Sequence, residues 1–430
     1  MNKPKFNPTN SKNRIDGSEK LIFPAQFYWG STTSAHQVEG GNVNDWTEWE
    51  KANAERLAKE ACKKWQPWQR EKFPEMFKPE NYISGLACDH YNRYEKDFDI
   101  VKSLGHNAHR LSIEWSRIEP EEGKFDEKEI EHYRKVILAL RQRGIEPFVT
   151  LWHWTNPLWI RDLGGWENKK TIEYFLRYTD KVLQSLKNVQ FWITLNEPEI
   201  YSSDSYLTGV WPPQKKNLIS YLAVIKNLIK AHKKVYKIIK KISPQAQIGI
   251  AKNNIYFEAN KNKAINIVLK KFIDWWWNFY FLNQIKNYQD FIGLNHYFHN
   301  LINYGFGKNE KKVVSDMNWE LYPEAIYFVL KDLKKYNKPI YITENGLADA
   351  QDKKRKWFIE EIFKNVAKAI KEDVDVRGYF YWSLLDNFEW NKGFWPRFGL
   401  VEVDYKTLER KIRPSAWEYK KIIEDSVIEV

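Results

Sequence analysis

The chain reads as a single (β/α)8 barrel, and three observations lead there. Eight short apolar runs with strand character alternate with longer amphipathic helical stretches. The runs are continuous rather than alternating, as in a parallel sheet buried on both faces. Polar and acidic residues collect where the runs end, which is where such a barrel presents its functional groups.

The runs cover 27–33, 108–115, 146–154, 191–198, 247–253, 290–298, 339–346 and 376–386. Helical patterns occupy about 85–104, 127–143, 168–187, 262–286, 323–336, 354–372 and 413–426. Another runs through Leu218, Leu222, Ile225, Ile229, His232, Tyr236 and Ile239, whose steps of four and three draw one stripe down a helix. His232 lies in that stripe and reads as a packed histidine rather than a ligand. The stretch 40–84, rich in Trp, Lys and Glu, reads as a long loop with a short helix around 50–64 on the rim of a cleft.

The polar exits follow the strands in order. Gln37 and Glu39 come after the first run, Arg110 lies in the second, and His153 ends the third. Asn196 and Glu197 end the fourth, Asn295 and Tyr297 the sixth, and Glu344 the seventh. The eighth delivers Trp382, then Glu389 and Trp390. Asn253 and Asn254 end the fifth and receive no role.

Two of these exits share a design. Phe191-Trp192-Ile193-Thr194-Leu195 runs into Asn196-Glu197-Pro198, and Pro339-Ile340-Tyr341-Ile342-Thr343 into Glu344-Asn345-Gly346. Pro198 stops the ladder, since it has no N–H and restricts Glu197. A carboxylate after a buried strand is costly unless paired, hydrogen-bonded or used. Alone, Glu197 reads equally well as a strand-end group turned to solvent. Two such carboxylates meet the requirement for cleaving a glycosidic bond.

Composition narrows the field. The 430 residues are 43% apolar, enough for a large core, and 16% aromatic with 21 Trp. Trp suits a sugar cleft, although most of these rings read as packing. Net charge is +12, but Lys is spread along helices beside Glu and Asp, so no nucleic-acid partner is expected. Cys62 and Cys88 form neither a metal-ligand spacing nor a disulfide framework, so no metal or cofactor is expected. No run is long enough to span a bilayer, and residues 1–20, polar and without an apolar core, read as a disordered lead before one domain at 21–426. The expected location is the cytoplasm.

Placed in order, the motifs resemble those of the family 1 glycoside hydrolases, the retaining β-glycosidases, from about Phe23 to Tyr419. Phe27-Tyr28-Trp29-Gly30 with Gln37-Val38-Glu39-Gly40 is similar to the family's N-terminal signature, and Arg110 to Arg117 to its second strand. The two Glu motifs resemble its catalytic motifs, and Trp382 to Trp390 with Arg397-Phe398-Gly399-Leu400 its closing ones. The organisation is closest to the compact forms among archaeal members.

The resemblance implies the (β/α)8 fold and a β-linked sugar as substrate. Glu344 would be the nucleophile and Glu197 the acid/base, with Arg110 and Tyr297 holding Glu344 ionised and Asn196 meeting the 2-hydroxyl. Gln37, His153 and Trp390 would bracket the 3-hydroxyl, with Asn295 nearby, Glu389 would accept from the 4- and 6-hydroxyls, and Trp382 would floor the ring. Trp319 would wall the aglycone side. His153 could instead be core, and Trp319 a rim cover. A carboxylate at the 6-position disfavours 6-phosphorylated sugars, with Lys392 nearby, and points to neutral glucosides, galactosides or fucosides.

Three features depart from the family pattern. His36 and His296 stand where aromatic residues are usual, and the segment between Asn253 and Asp290 is short. The short segment suggests a more open aglycone edge, or an oligomer contact through the aromatics near Trp275. Rival readings are a mainly transglycosylating enzyme, a sugar-binding relative without turnover, and a basic-surface binding protein.

Overall fold

The computed structural model describes residues 20–429 apart from 262. The expected lead therefore lies, except for Lys20, outside the described residues. Lys20–Ile22 pairs antiparallel with Val427–Glu429, a strand just beyond the expected boundary at 426.

Eight parallel strands close into a barrel: β1 Tyr28–Thr32, β2 Ala108–Ser112, β3 Glu146–Thr150, β4 Phe191–Asn196, β5 Gln247–Asn253, β6 Ile292–Asn295, β7 Ile340–Asn345 and β8 Val376–Trp382. Neighbours follow chain order, and β8 closes onto β1. Each expected run contains its strand. The runs at β2, β3, β6 and β8 overshoot because the residues after the strand continue, largely apolar and mostly buried, as loop or helix start beyond the regular ladder. The interior is filled by Ala108, Phe148, Phe191, Ile193, Ala251, Phe291, Tyr341 and Phe380, with the Phe148 and Phe191 rings stacked at 4.1 Å. Gly30 is required there, since a Cβ would come within 2.5 Å of the Ala108 carbonyl oxygen.

Helices His90–Ser103, Glu127–Gln142, Lys170–Ser185, Leu218–Ile242, Ala325–Leu333, Arg355–Lys371 and Pro414–Asp425 follow their strands. His232 is packed as expected. Its Nε2 donates to the Tyr288 carbonyl at 2.7 Å, so Nδ1 accepts from the Thr194 hydroxyl at 2.6 Å. The stripe that contains it is buried only in part, because Leu218 and Leu222 are exposed.

The loop helix is longer than expected, Asp45–Lys64. Asn44 accepts from the Thr47 N–H, Thr47 accepts from the Asn44 N–H, and Asp45 and Glu48 favour the positive end. This capping box starts the helix five residues earlier than its apolar pattern suggests. The short segment after β5 is an ordered arm. Tyr256–Ala259 pairs parallel with His299–Ile302, and Ala264–Ile273 runs through a π-helical stretch, Asp274–Phe279, into Tyr280–Ile285. Phe272 and Trp275 on this arm are exposed.

One buried charge cluster ties the end of the barrel to the last helix. Asp386 accepts from both Arg413 Nη atoms at 2.9 Å, from the Gly399 N–H at 2.9 Å and from Arg397 at 3.4 Å. Asp386→Ala leaves the Arg413 charge buried without its carboxylate, although Nη1 keeps its bond to the Gly399 carbonyl at 2.9 Å. It is expected to cost about 3–5 kcal/mol, read as a lower midpoint in denaturant unfolding.

Candidate active site

Glu344 sits near the C-terminal end of β7 and is 5% exposed. Arg110, from β2, donates through Nη1 to Glu344 Oε1, through Nη2 to Asn196 Oδ1 at 2.6 Å, and through Nε to Thr150 at 3.1 Å. Nη1 also donates to the Thr343 carbonyl at 3.3 Å, so all three nitrogens of this buried guanidinium are engaged and its plane is fixed. The Tyr297 hydroxyl donates to Glu344 Oε2 at 3.0 Å. Burial, and then the Glu344 charge, push that phenol well above its ordinary value, so it remains a donor. Both oxygens of Glu344 thus accept from fixed donors.

Glu197 is built differently. It follows β4 directly, has φ of 40°, and its N–H donates to the Ala251 carbonyl at 2.7 Å. The left-handed backbone costs a non-glycine residue energy, the more so before Pro198, which favours extended backbone, and the hydrogen bond to the Ala251 carbonyl helps to hold it. Its Oε1 accepts from Asn295 Nδ2 at 2.9 Å and Asn253 Nδ2 at 3.1 Å, neutral amides rather than a cation. Burial, and next the charge of Glu344, push its carboxyl up to about 8. Glu197 therefore lies close enough to feel the Glu344 charge, and the two carboxyls have different partners, a guanidinium and a phenol for one and neutral amides for the other.

Around the pair lies a polar and aromatic cradle. Asn196 Nδ2 donates to His153 Nε2 at 3.0 Å. Burial, then Arg110, holds His153 well below its usual value and so neutral, which puts its proton on Nδ1. That Nδ1, Gln37 Oε1 and Glu389 Oε2 make no hydrogen bond among the described residues. Trp390 lies against His153 at 6.0 Å and His36 at 5.4 Å, and Trp382 against His153 at 6.4 Å. Burial lifts Glu389 to about 7, opposed by Lys392 and reinforced by Glu344. Trp319 is half-buried and packs edge-on to Tyr297 at 6.1 Å.

All of the candidate residues converge at the C-terminal mouth except Glu39, which belongs to a separate cluster. It accepts from Tyr133 at 2.8 Å and Arg117 at 2.9 Å. Asn253 was passed over in the sequence, yet it holds Glu197. The available signal was an amide at a strand exit, as at Asn196 and Asn295. His36 is a buried partner of Glu50, 2.7 Å away, and its stacking on Trp390 occupies the space of an aromatic ring. His296 turns away from the site to the Asn254 carbonyl at 2.9 Å, which leaves Tyr297 to face Glu344.

Barrel, carboxyl pair and aromatic cradle together define the class of (β/α)8 glycosyl hydrolases. The sequence profile described as "Glycosyl hydrolase family 1" matches residues 19–286 and 268–427. Beta-glucosidase A of Acetivibrio thermocellus is 34% identical, with 95% of this chain and 99% of that protein covered. The solved beta-glycosidase from Pyrococcus horikoshii is 37% identical and superposes with a TM-score of 0.85, covering 95% of this chain and 96% of that one. The Thermotoga maritima beta-glucosidase in complex with glucoimidazole is 30% identical with a TM-score of 0.83, covering 94% and 99%. The chain belongs to glycosyl hydrolase family 1.

Proposed function

We propose that the protein is a retaining exo-β-glycosidase that removes terminal β-glucosyl residues from neutral glycosides. The enzyme is a β-glucosidase-type O-glycosyl hydrolase, as its relatives named beta-glucosidase support. The observation that carries the mechanism is the opposite setting of the two carboxyls. Glu344, held by Arg110 and Tyr297, is the nucleophile. Glu197, raised by burial and by that neighbouring charge, is the acid that protonates the departing oxygen. When Glu344 becomes esterified its charge disappears, one of the two influences that raise Glu197 is lost, and Glu197 takes a proton from water as base. Retention follows from two displacements at one carbon.

The sugar is held by the atoms that lack partners. His153 Nδ1–H donates, while Gln37 and Glu389 accept, which matches adjacent hydroxyls above the Trp382 face. Asn196, fixed by Arg110 and His153, meets the 2-hydroxyl, and Asn295 steadies Glu197 beside it. Trp319 lines the aglycone side. A 6-phosphate would have to be buried against Glu389, so phosphorylated sugars are poor substrates.

Initial rates on a panel of p-nitrophenyl β-glycosides test this reading. Glucoside, and next galactoside or fucoside, should be cleaved at rates at least about 100-fold above the 6-phosphoglucoside. Faster cleavage of the phosphorylated substrate would overturn the assignment of Glu389. The pH profile supplies a second test. The first step needs Glu197 protonated, so kcat/KM is expected to fall as pH rises through about 8. A rate that stays level to pH 10 would remove Glu197 as the acid.

A further inference from the structure

Lys252 and Glu199 form a buried ion pair that the chemistry above leaves unused. Lys252 lies on β5 with its side chain fully buried, and Nζ is 3.4 Å from Glu199 Oε1. Nζ also donates to the Asn253 carbonyl at 2.5 Å. The strand's period of two explains the placement. Ala251 faces the barrel interior and Asn253 reaches Glu197, so Lys252 points to the outer side. There it meets Pro198–Ser202, the short helix that starts immediately after Glu197 and carries Glu199.

A buried pair of this kind is a poor device for packing alone. Two apolar side chains would fill the same space without the desolvation of two charges. The position of the pair is what suggests a use. It joins the exits of β4 and β5, the two segments that set the geometry of Glu197: one carries its backbone, the other its Asn253 clamp. Glu197 is faced by Glu344 from β7, Arg110 from β2, Asn295 and Tyr297 from β6, and Lys252 and Asn253 from β5. Tyr221, on Leu218–Ile242, faces Glu199.

We propose that Lys252 is a positioning residue for Glu197, holding Asn253 against its carboxyl and stabilising its ionised form, with Glu199 setting how much of the lysine charge Glu197 feels. The proposal rests on the reading of Glu197 as acid/base. Lys252 favours the carboxylate that acts as base in the second step, and Glu199 prevents it from ionising the acid too early in the first. Burial, the largest influence on each, lowers Lys252 and raises Glu199 from their ordinary values, and the attraction within the pair, with Glu197 also acting on Lys252, works against that burial.

The test is the alkaline limb of kcat/KM, which reports the acid in the free enzyme. Lys252→Met removes the positive charge at nearly constant length and is expected to raise the limb by about one pH unit. Glu199→Gln leaves Lys252 unopposed and is expected to lower it by about half a unit or more. The double variant Lys252→Met/Glu199→Gln should fold and return the limb close to the wild-type position. A merely structural pair would lower stability and kcat without moving the limb in opposite directions. Shifts of the same sign, or a limb fixed within 0.2 units in both single variants, would overturn the proposal. If Lys252→Met fails to fold, Glu199→Gln alone decides by the sign of its shift. Glu197→Ala measured in parallel separates the two readings. If that variant behaves as an acid/base loss while the limb stays still, only the role of Lys252 falls; if it keeps full activity, the acid/base reading falls first.

Discussion

Glu344→Gln is expected to lower kcat on p-nitrophenyl β-glucoside by at least about 10⁴-fold, because the covalent step loses its attacking atom. The fold should survive, since glutamine is nearly isosteric and its amide can still bond with Arg110 and Tyr297. Thermal unfolding checked beside initial rates separates loss of chemistry from loss of structure. A residual rate above one per cent of the original would refute the nucleophile assignment. The variant carries a second consequence. With a neutral side chain at 344, the second-largest influence that raises Glu197 is gone. Titration of carbon-13-labelled glutamate should therefore show Glu197 moving down toward the ordinary carboxyl range. The same shift is what the proposed mechanism requires when Glu344 is esterified.

Glu197→Ala should instead divide substrates by their leaving group. Alkyl and sugar aglycones need a proton, so their cleavage is expected to fall about 10²–10⁴-fold. A dinitrophenyl glucoside departs unaided, so its first step should persist and the glycosyl-enzyme should accumulate, seen as a burst followed by slow turnover. Added azide attacks without base help and should restore turnover, giving the β-glycosyl azide. A uniform loss across all leaving groups would contradict the acid/base role. The two variants thus fail in different ways, which is why they are measured together.

Much of the fold was legible because its signals are local. A continuous apolar run marks a strand buried on both faces wherever it stands, and eight of them at barrel spacing leave few alternatives. The helix Asp45–Lys64 shows the limit of apolar pattern alone. Its start is set by the exchange of hydrogen bonds between Asn44 and Thr47. The stripe through Leu218 and Leu222 shows a second limit. Periodicity gives a face, but what covers that face depends on neighbours: Leu218 and Leu222 at the start of the stripe are exposed while Tyr221 and Val224 beside it are buried.

The candidate site divides in the same way. Glu197 and Glu344 were legible because each is a carboxylate set directly at a strand exit. Asn253 was not, since its partner Glu197 lies 56 residues away on another strand. His36 could be seen as unusual, but its pairing with Glu50 and its stacking on Trp390 could not.

Thus the sequence by itself determined the barrel, the order of its strands and which side chains stand at their exits, because periodicity, proline stops and exit residues act within a few positions. The pairing of Arg110 and Tyr297 with Glu344 was implied by the family resemblance, whereas only the tertiary structure decided that neutral amides, Asn295 and Asn253, hold Glu197. Arg110 and Glu344 are 234 positions apart, and Lys252 and Glu199 meet across two strands. Protonation depends on charge and burial in space, and a linear order of residues does not contain those distances.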